Sequence, residues 1–492
     1  MASAITIVGL GPGPMSGMTV EGRRVIDDAS ILFVRTLEHP AAREIAADHP
    51  CDSFDEVYAA HADFEEVYRE IVDRLMQSAL RGLEVVYAVP GDPMVGEATT
   101  QALQAAARAE GIAVRVVHAP SFLEPSLELV GLDALDGLQV VNGLEIAGGH
   151  YPRLSPDRPA LVGQVFSRLV ASEVKLTLLA QYPPDHPITF LDAAGSPEAR
   201  ADRMPLVELD RDDRFSHRSS VYIPAVERPS SFESLQETIA HLRAPDGCPW
   251  DREQTHETLR PHLLEEAYET LAAIDSGEAS ALEEELGDLL LQIVLQAQIA
   301  SEAGDFSMVD VIAQIGDKLI RRHPHVFAGV VVEGVDEVLH NWEGLKAEER
   351  KQAGGGRGAL DGVPQALPAL AQALEIQSRA ARVGFDWRSV DGVRRKLDEE
   401  LAELSTADRS LDQEAEVGDL LFAVVNYARW IGVDAETALR GTNHRFRRRF
   451  SHMEGAAEMS GRPLRGMAPE ELDLLWETAK QAERKPPAGG GG

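Results

Sequence analysis

The stretch Glu265-Glu266-Ala267-Tyr268-Glu269, followed by Glu285-Leu286-Gly287-Asp288, returns later as Glu399-Glu400-Leu401-Ala402-Glu403 and Glu416-Val417-Gly418-Asp419. Each copy puts an acidic trio on one predicted helix and an acidic pair on the next. Residues three and four apart on a helix share a face. Packing two such faces together gathers four or five carboxylates in one pocket. Carboxylates crowd at a cost in repulsion unless cations compensate. An oxygen-only ligand set of this density suits Mg²⁺, with Mn²⁺ as the alternative, and both are hard ions that work on phosphates.

A single acidic trio reads as solvated surface. The Glu285/Asp288 pair is harder to explain that way. It sits on a stripe of Leu282, Leu286, Leu289, Leu290 and Ile293, where unpaired charge is costly. Ser280-x-x-Glu283 has the form of a capping box opening that helix, and Ser410-x-x-Gln413 stands at a similar offset in the second copy. The recurrence extends downstream. Lys318-x-x-Arg321-Arg322 matches Arg445-x-x-Arg448-Arg449, and each copy ends in Trp-Glu-x-x-Lys, at Trp342…Lys346 and Trp476…Lys480. Basic side chains there can take phosphate charge. The two tryptophans can stack on a base or pack. His323 and His325 read as structural, because the oxygen set is complete without them. The combination describes a nucleoside triphosphate hydrolase without a P-loop, in which a carboxylate acts as general base toward water; no GxxxxGK[ST] occurs.

The chain has 492 residues, too many for one ordinary core. Apolar content of 44% excludes a disordered chain, and a net charge of −34 argues against a nucleic-acid backbone binder. The two cysteines, Cys51 and Cys248, have no metal-type spacing, and no signal peptide is read. The expectation is a cytoplasmic protein with no membrane partner, since the apolar stretch Ala4–Leu10 is too short to span a bilayer.

Texture changes along the chain. Residues 1–224 alternate short β-branched runs with helical stretches: Ile5–Val8, Ile31–Val34, Glu84–Val89, Val114–His118, Ala160–Val165 and Leu176–Ala180, with later strands expected at Pro205–Glu208 and Ser219–Ile223. That alternation predicts an α/β domain with a largely parallel sheet. Residues 225–231 read as a linker, 232–352 and 366–482 as two all-α repeats, 353–365 as a Gly-rich linker and 483–492 as a disordered tail. Strand Ile5–Val8 runs into Gly9-Leu10-Gly11-Pro12-Gly13-Pro14, and strand Glu84–Ala88 into Val89-Pro90-Gly91-Asp92-Pro93-Met94-Val95. A dinucleotide fingerprint fails at Pro14, and no acidic residue closes the second strand. Both loops still permit close backbone approach by a ligand.

The region 232–482 resembles the MazG nucleoside triphosphate pyrophosphohydrolases. Besides the acidic motifs, the resemblance rests on Cys248–His256 (CPWDREQTH), Arg321–Phe327 (RRHPHVF) and the tandem arrangement. It implies an all-α, homodimeric or higher assembly that holds Mg²⁺ and converts NTP and water to NMP and pyrophosphate. By position, Glu266, Glu269, Glu285 and Asp288 would hold metal in the first repeat, and Glu400, Glu403, Glu416 and Asp419 in the second. Glu265, Glu266, Lys318 and Arg321, with Glu399, Glu400, Arg445 and Arg448, would be catalytic. Trp250, Arg322, Trp342, Lys346, Asn443, Arg449, Trp476 and Lys480 would contact nucleotide. Arg445 stands where a Lys is more usual, and Glu403 to Glu416 is 13 positions against 16 from Glu269 to Glu285.

Residues 1–224 resemble the tetrapyrrole (corrin/porphyrin) methylases, which use S-adenosylmethionine, through GLGPG, YAVPGDP at Tyr87–Pro93 and Ser121-Phe122. That likeness implies cofactor contacts from Gly9, Gly11, Gly13, Pro90, Gly91, Asp92, Met94, Val95, Ser121 and Phe122. The pairing of both halves resembles the YabN-type fusions. The leading expectation is a Mg²⁺-dependent pyrophosphohydrolase clearing unwanted nucleotides, joined to a methylase-like domain. The rivals are a methyltransferase with accessory helices and a nucleotide sensor that does not hydrolyse.

Overall fold

The computed structural model describes residues 4–61, 63–211, 213–335, 337–338, 341–342, 344–345, 358–407 and 410–484. The chain divides into two compact units between Glu253 and Gln254.

The first unit carries two sheets. One is built from β1 (Ala4–Gly9), β2 (Leu32–Val34), β3 (Asp52–Ser53), β4 (Val85–Val89) and β5 (Ala113–Val117), in the order β3-β2-β4-β1-β5 and parallel throughout. Parallel strands covered on both faces read as continuous apolar runs, and Val85–Val89 is buried at every position. Ile5, Ile7 and Tyr87 pack on one face with Ile71 and Leu75 from the long helix Phe64–Leu80. Val8, Leu10 and Val34 pack on the other with Ile26, Ala41 and Ile45. The connecting helices are α1 (Val20–Asp27), α2 (Pro40–Asp48), α3 (Asp55–Ala60), α4 (Phe64–Leu80), α5 (Ala98–Ala109) and α6 (Leu123–Val130).

The second sheet has the order β6-β7-β10-β8-β9, from β6 (Gln139–Asn142), β7 (Ala160–Gly163), β8 (Pro187–Asp192), β9 (Arg200–Pro205) and β10 (Ser219–Ile223). Only the β6–β7 pair is parallel, so the expectation of parallel pairing holds for the first sheet and not for this one. Helices α7 (Gly143–Ala147) and α8 (Arg168–Leu178) cover it.

Two expected strands are corrected. Leu176–Ala180 is not a strand: Leu176–Leu178 end α8 and Leu179 is its C-cap. Ser167 caps that helix, and Val170, Ala171, Val174, Thr177 and Leu178 are buried at helical spacing. Pro205–Glu208 contains only the last residue of β9 before a 3₁₀ turn, Leu206–Arg211. The strand proper is polar Arg200–Pro205, paired antiparallel with β8 by its backbone.

The segment 225–231 leads into α9 (Phe232–Arg243) and α10 (Pro249–Glu253), which belong to the first unit. Asp157 ties α9 down. Its carboxylate accepts from the Ser230 and Ser231 amides at 2.7 and 3.1 Å and from the Ser231 and Ser234 hydroxyls.

The second unit is helical: α11 (Arg260–Ser276), α12 (Ala279–Ala303), α13 (Met308–Arg322), α14 (Pro324–Phe327), α15 (Ala369–Arg382), α16 (Val390–Thr406), α17 (Ser410–Trp430), α18 (Ala435–Met459) and α19 (Pro469–Arg484). The pairs α11/α12 and α16/α17 are its most extensive packings. The capping box expected at Ser280 is absent: α12 starts at Ala279 with Glu278 as N-cap and no side-chain cap. The box occurs instead at Ser307 and Asp310, opening α13. The Ser410 side chain lies outside the described residues, as does the break at 353–357. The expected apolar stripe on α12 is not buried: Leu286, Leu290 and Ile293 are exposed, while Val294, Leu295, Ala297 and Ala300 are buried. Among the described residues, no helix is long and apolar enough to cross a membrane.

Partial burial of Asp157 works against its charge, but the four hydrogen bonds outweigh it and hold the carboxyl down at about 2. Because its folded value is depressed, its contribution is present above the ordinary carboxylate range and is lost as pH falls toward 2. Asp157→Ala is expected to cost roughly 2 kcal/mol at neutral pH and to open the chain around Ser231 to protease. Urea melts and limited proteolysis read both.

Candidate functional site

The acidic trio and pair of each repeat meet across a helix pair. On α11 and α12, one oxygen from each of Glu266, Glu285 and Asp288 lies within 4.8 Å of the others. On α16 and α17 the same holds for Glu400, Glu416 and Asp419. Helical periodicity puts each acidic set on one face, and the antiparallel packing of neighbours turns the faces together. Thr270 stitches the first pair at this level: its hydroxyl donates to the Glu266 carbonyl at 2.8 Å and to the Glu285 carbonyl at 3.3 Å.

Burial first, then Asp288, Glu269, Glu285 and Glu265, push the Glu266 carboxyl above its ordinary range. Glu285 is raised by burial, then by Glu269, Asp288 and Glu284. Glu416 is raised by burial, then by Glu403, Glu400 and Asp419, with Lys396 pulling the other way. Glu269 and Glu403 thus act on the clusters without belonging to the tight triads. The Glu416 Oε2 atom is buried with no partner. Crowded carboxylates with an orphaned buried oxygen match the donor set of a hard divalent cation.

The outlying residues are less concentrated. Glu265 is exposed, 3.7 Å from His262 Nδ1. Glu399 is engaged by Lys396 at 2.8 Å. Lys318, Arg321 and Arg322 lie on the last turns of α13, with Lys318 and Arg322 half-buried. In the second repeat, Arg448 and Arg449 are both taken by Glu483 at 2.8 Å, and Arg445 donates to the Thr442 hydroxyl at 2.7 Å. Trp476 is flanked by Phe446 at 5.2 Å and by the cations of Arg449 and Lys480 at 5.6 and 6.0 Å, an arrangement that packs the ring. Lys480 also bonds Glu477 at 2.6 Å. Asn443 is exposed and Trp342 half-buried. Trp250 lies on α10, in the first unit. Lys346 lies outside the described residues.

In the first unit, the two glycine loops leave β1 and β4, neighbours at the point where the order of the parallel sheet reverses. They pair with each other: the Gly11 amide donates to the Gly91 carbonyl at 3.2 Å and the Gly91 amide to the Gly11 carbonyl at 2.8 Å. Gly11 and Gly91 have φ of +76° and +65°, which favours glycine at both. A Cβ on Gly9 would meet the Gly91 carbonyl oxygen at 2.6 Å, and one on Gly13 would run into the Gly195 carbonyl. Beside Gly91, by contrast, a Cβ would meet only the Ser121 backbone, at 3.9 Å. This open, backbone-lined cradle fits a close-approaching ligand.

Asp92 is not free to bind one. Its carboxylate accepts from the Met94 amide at 2.8 Å and the Ala119 amide at 3.1 Å, and lies 2.9 Å from His118 Nδ1, so it shapes the loop. Ser121 is buried and donates to Glu124 at 2.8 Å. Phe122 covers Gly163, where a Cβ would come within 3.0 Å of the ring. Pro90 and Val95 are half-buried and Met94 is exposed.

The sequence reading passed over His39, the N-cap of α2. It is 6% exposed and neither ring nitrogen has a hydrogen-bond partner. Burial pushes its imidazole down to about 4; the nearby Gly11 backbone opposes this, and His217 and Arg218 reinforce it. An isolated His between apolar runs carries no sequence signal of that placement.

An α/β half with paired glycine loops and an all-α half with duplicated carboxylate clusters define a two-part enzyme class, and the comparisons agree. The family model "Tetrapyrrole (Corrin/Porphyrin) Methylases" matches residues 4–210, and "MazG nucleotide pyrophosphohydrolase domain" matches residues 254–327. The chain is 40% identical to the uncharacterized protein YabN of Bacillus subtilis (strain 168) over 99% of its own length and 100% of that protein's. It is 45% identical to the nucleoside triphosphate pyrophosphohydrolase/pyrophosphatase MazG of Thermotoga maritima, covering 51% of this chain and 95% of that one. Identity is also 45% to the nucleoside triphosphate pyrophosphohydrolase of Escherichia coli (strain K12), over 52% of this chain and 98% of that one. The chain belongs to the YabN family of enzymes, in which a tetrapyrrole-methylase domain is fused to a MazG pyrophosphohydrolase.

His39 is charged more easily unfolded than folded. Stability is therefore expected to rise with pH between about 4 and 6.5 and to level off above. His39→Gln should flatten that segment of a plot of urea midpoint against pH.

Proposed function

We propose that the helical unit hydrolyses nucleoside triphosphates to monophosphates and pyrophosphate with Mg²⁺, and that its role is to clear unwanted nucleotides. The observation that carries this reading is the duplicated gathering of three carboxylates within 4.8 Å, in a chain 45% identical to two proteins named for that reaction. Glu266, Glu285 and Asp288, with Glu269 beside them, would hold metal in the first repeat. Glu400, Glu416 and Asp419, with Glu403, would do so in the second. When bound, the ions would neutralise phosphate charge and lower the pKa of a water. The chain's own part is to hold the ions, to meet the remaining phosphate charge with Lys318 and Arg321 or with Arg445, and to accept the proton of the attacking water on Glu265 or Glu399. In the second repeat Arg448 would have to leave Glu483, and Glu399 to leave Lys396, to take those parts. Self-association fits the exposed apolar side chains of α12 and α13, among them Leu286, Leu290, Val309, Ile312 and Leu319.

For the first unit we infer S-adenosylmethionine binding in the cradle around Gly11, Gly91 and Ser121, with the methyl acceptor unassigned. The mutual hydrogen bonds of Gly11 and Gly91 favour it, because they fix two backbone loops at a strand-order reversal. A sulfonium methyl donor needs mainly positioning against its nucleophile.

The full chain with Mg²⁺ is expected to release pyrophosphate, not orthophosphate, from a panel of NTPs. Glu266→Gln with Glu400→Gln should lower that rate by about a hundredfold or more; unchanged turnover would sink the assignment. Calorimetry with S-adenosylmethionine tests the other half, and no heat of binding at millimolar ligand would remove it.

A further inference from the structure

The two carboxylate clusters differ in one neighbour. Lys396 stands one helical turn before the second trio, and its Nζ lies 2.6 Å from Glu400 Oε1 and 2.8 Å from Glu399 Oε1. Glu400 is 4% exposed and belongs to the tight triad with Glu416 and Asp419. The ammonium therefore reaches into the cluster and not merely along its rim. The same position in the first repeat, three residues before the first Glu of its trio, is His262. Its Nδ1 lies 3.7 Å from the exposed Glu265. The charges that act most strongly on Glu266 are all carboxylates: Asp288, Glu269, Glu285 and Glu265.

We propose that Lys396 is a built-in counter-ion that occupies the second cluster in place of a metal, so that the second repeat takes divalent cations more weakly than the first. The inference rests on the metal-binding reading above and specifies how it divides between the repeats. A divalent ion entering the first cluster relieves a repulsion in which carboxylates are the leading charges on Glu266. An ion entering the second must share Glu400 with an ammonium or displace it. A unit charge about 5 Å from a divalent ion repels it enough, even at the dielectric of water, to change affinity on the order of tenfold. The orphaned Glu416 Oε2 shows that the ammonium leaves part of the second cluster uncompensated, which is why the site is weakened and not abolished. At saturating metal both repeats fill; at limiting metal the first fills before the second.

Mn²⁺ binding to the full chain, read by loss of the free-ion electron paramagnetic resonance signal, tests this without turnover. With the first cluster disabled by Glu266→Gln and Glu285→Gln, adding Lys396→Met is expected to tighten Mn²⁺ on the order of tenfold, and Lys396→Arg to leave it within about twofold. With the second cluster disabled by Glu400→Gln and Glu416→Gln, His262→Lys should weaken Mn²⁺ at the first several-fold. Circular dichroism checks folding, and the His262→Lys arm carries the test if Lys396→Met unfolds. Unchanged or weaker binding in folded Lys396→Met, or unchanged binding in His262→Lys, overturns the proposal while leaving the metal sites standing. Absence of Mn²⁺ binding to the parent chain would instead overturn the metal reading and this inference with it.

Discussion

Like charges forced together are the constraint on which the helical half depends. Each repeat brings three carboxylates within 4.8 Å, and burial adds to their mutual repulsion, as the raised Glu266, Glu285 and Glu416 record. Such an arrangement is stable only with a cation or protons to offset it. Thr270 bonds the backbones of both helices at the level of the first cluster. Lys396 places an ammonium against the most buried acid of the second. Two copies of one motif carry the same electrostatic cost, and in the second an ammonium already stands against it.

The α/β half answers a different constraint, the close approach of one backbone loop to another. Strands β1 and β4 end side by side, and their loops pair through Gly11 and Gly91. Side chains at Gly9 or Gly13 would collide with neighbouring carbonyls, while the space beside Gly91 stays open. Asp92 spends its carboxylate on the Met94 and Ala119 amides, so the signature acid of the loop maintains its shape.

Much of this was legible along the chain, and the failures have physical causes. Period-3.6 acidic spacing is a one-dimensional signal, so both clusters could be read. Leu176–Ala180 could be mistaken for a strand because a short apolar run does not distinguish the last turn of a helix from a strand. Polar β9 was missed because an edge strand is held by backbone pairing with β8. The Ser- and Pro-rich segment before α9 looked like a linker, yet Asp157, more than seventy residues earlier in the chain, fastens it to the first unit.

The sequence by itself determined the class of each half, the duplication, and which acids could share a helix face, because those follow from residue type and local spacing. Only the tertiary structure decided which acids form the tight triads, that Arg448 and Arg449 turn to Glu483, that the buried His39 ring has no hydrogen-bond partner, and that Lys396 reaches Glu400 in the second cluster. Those facts depend on how separate helices and loops pack, and a charge's effect depends on burial and distance in space, which spacing along the chain does not encode.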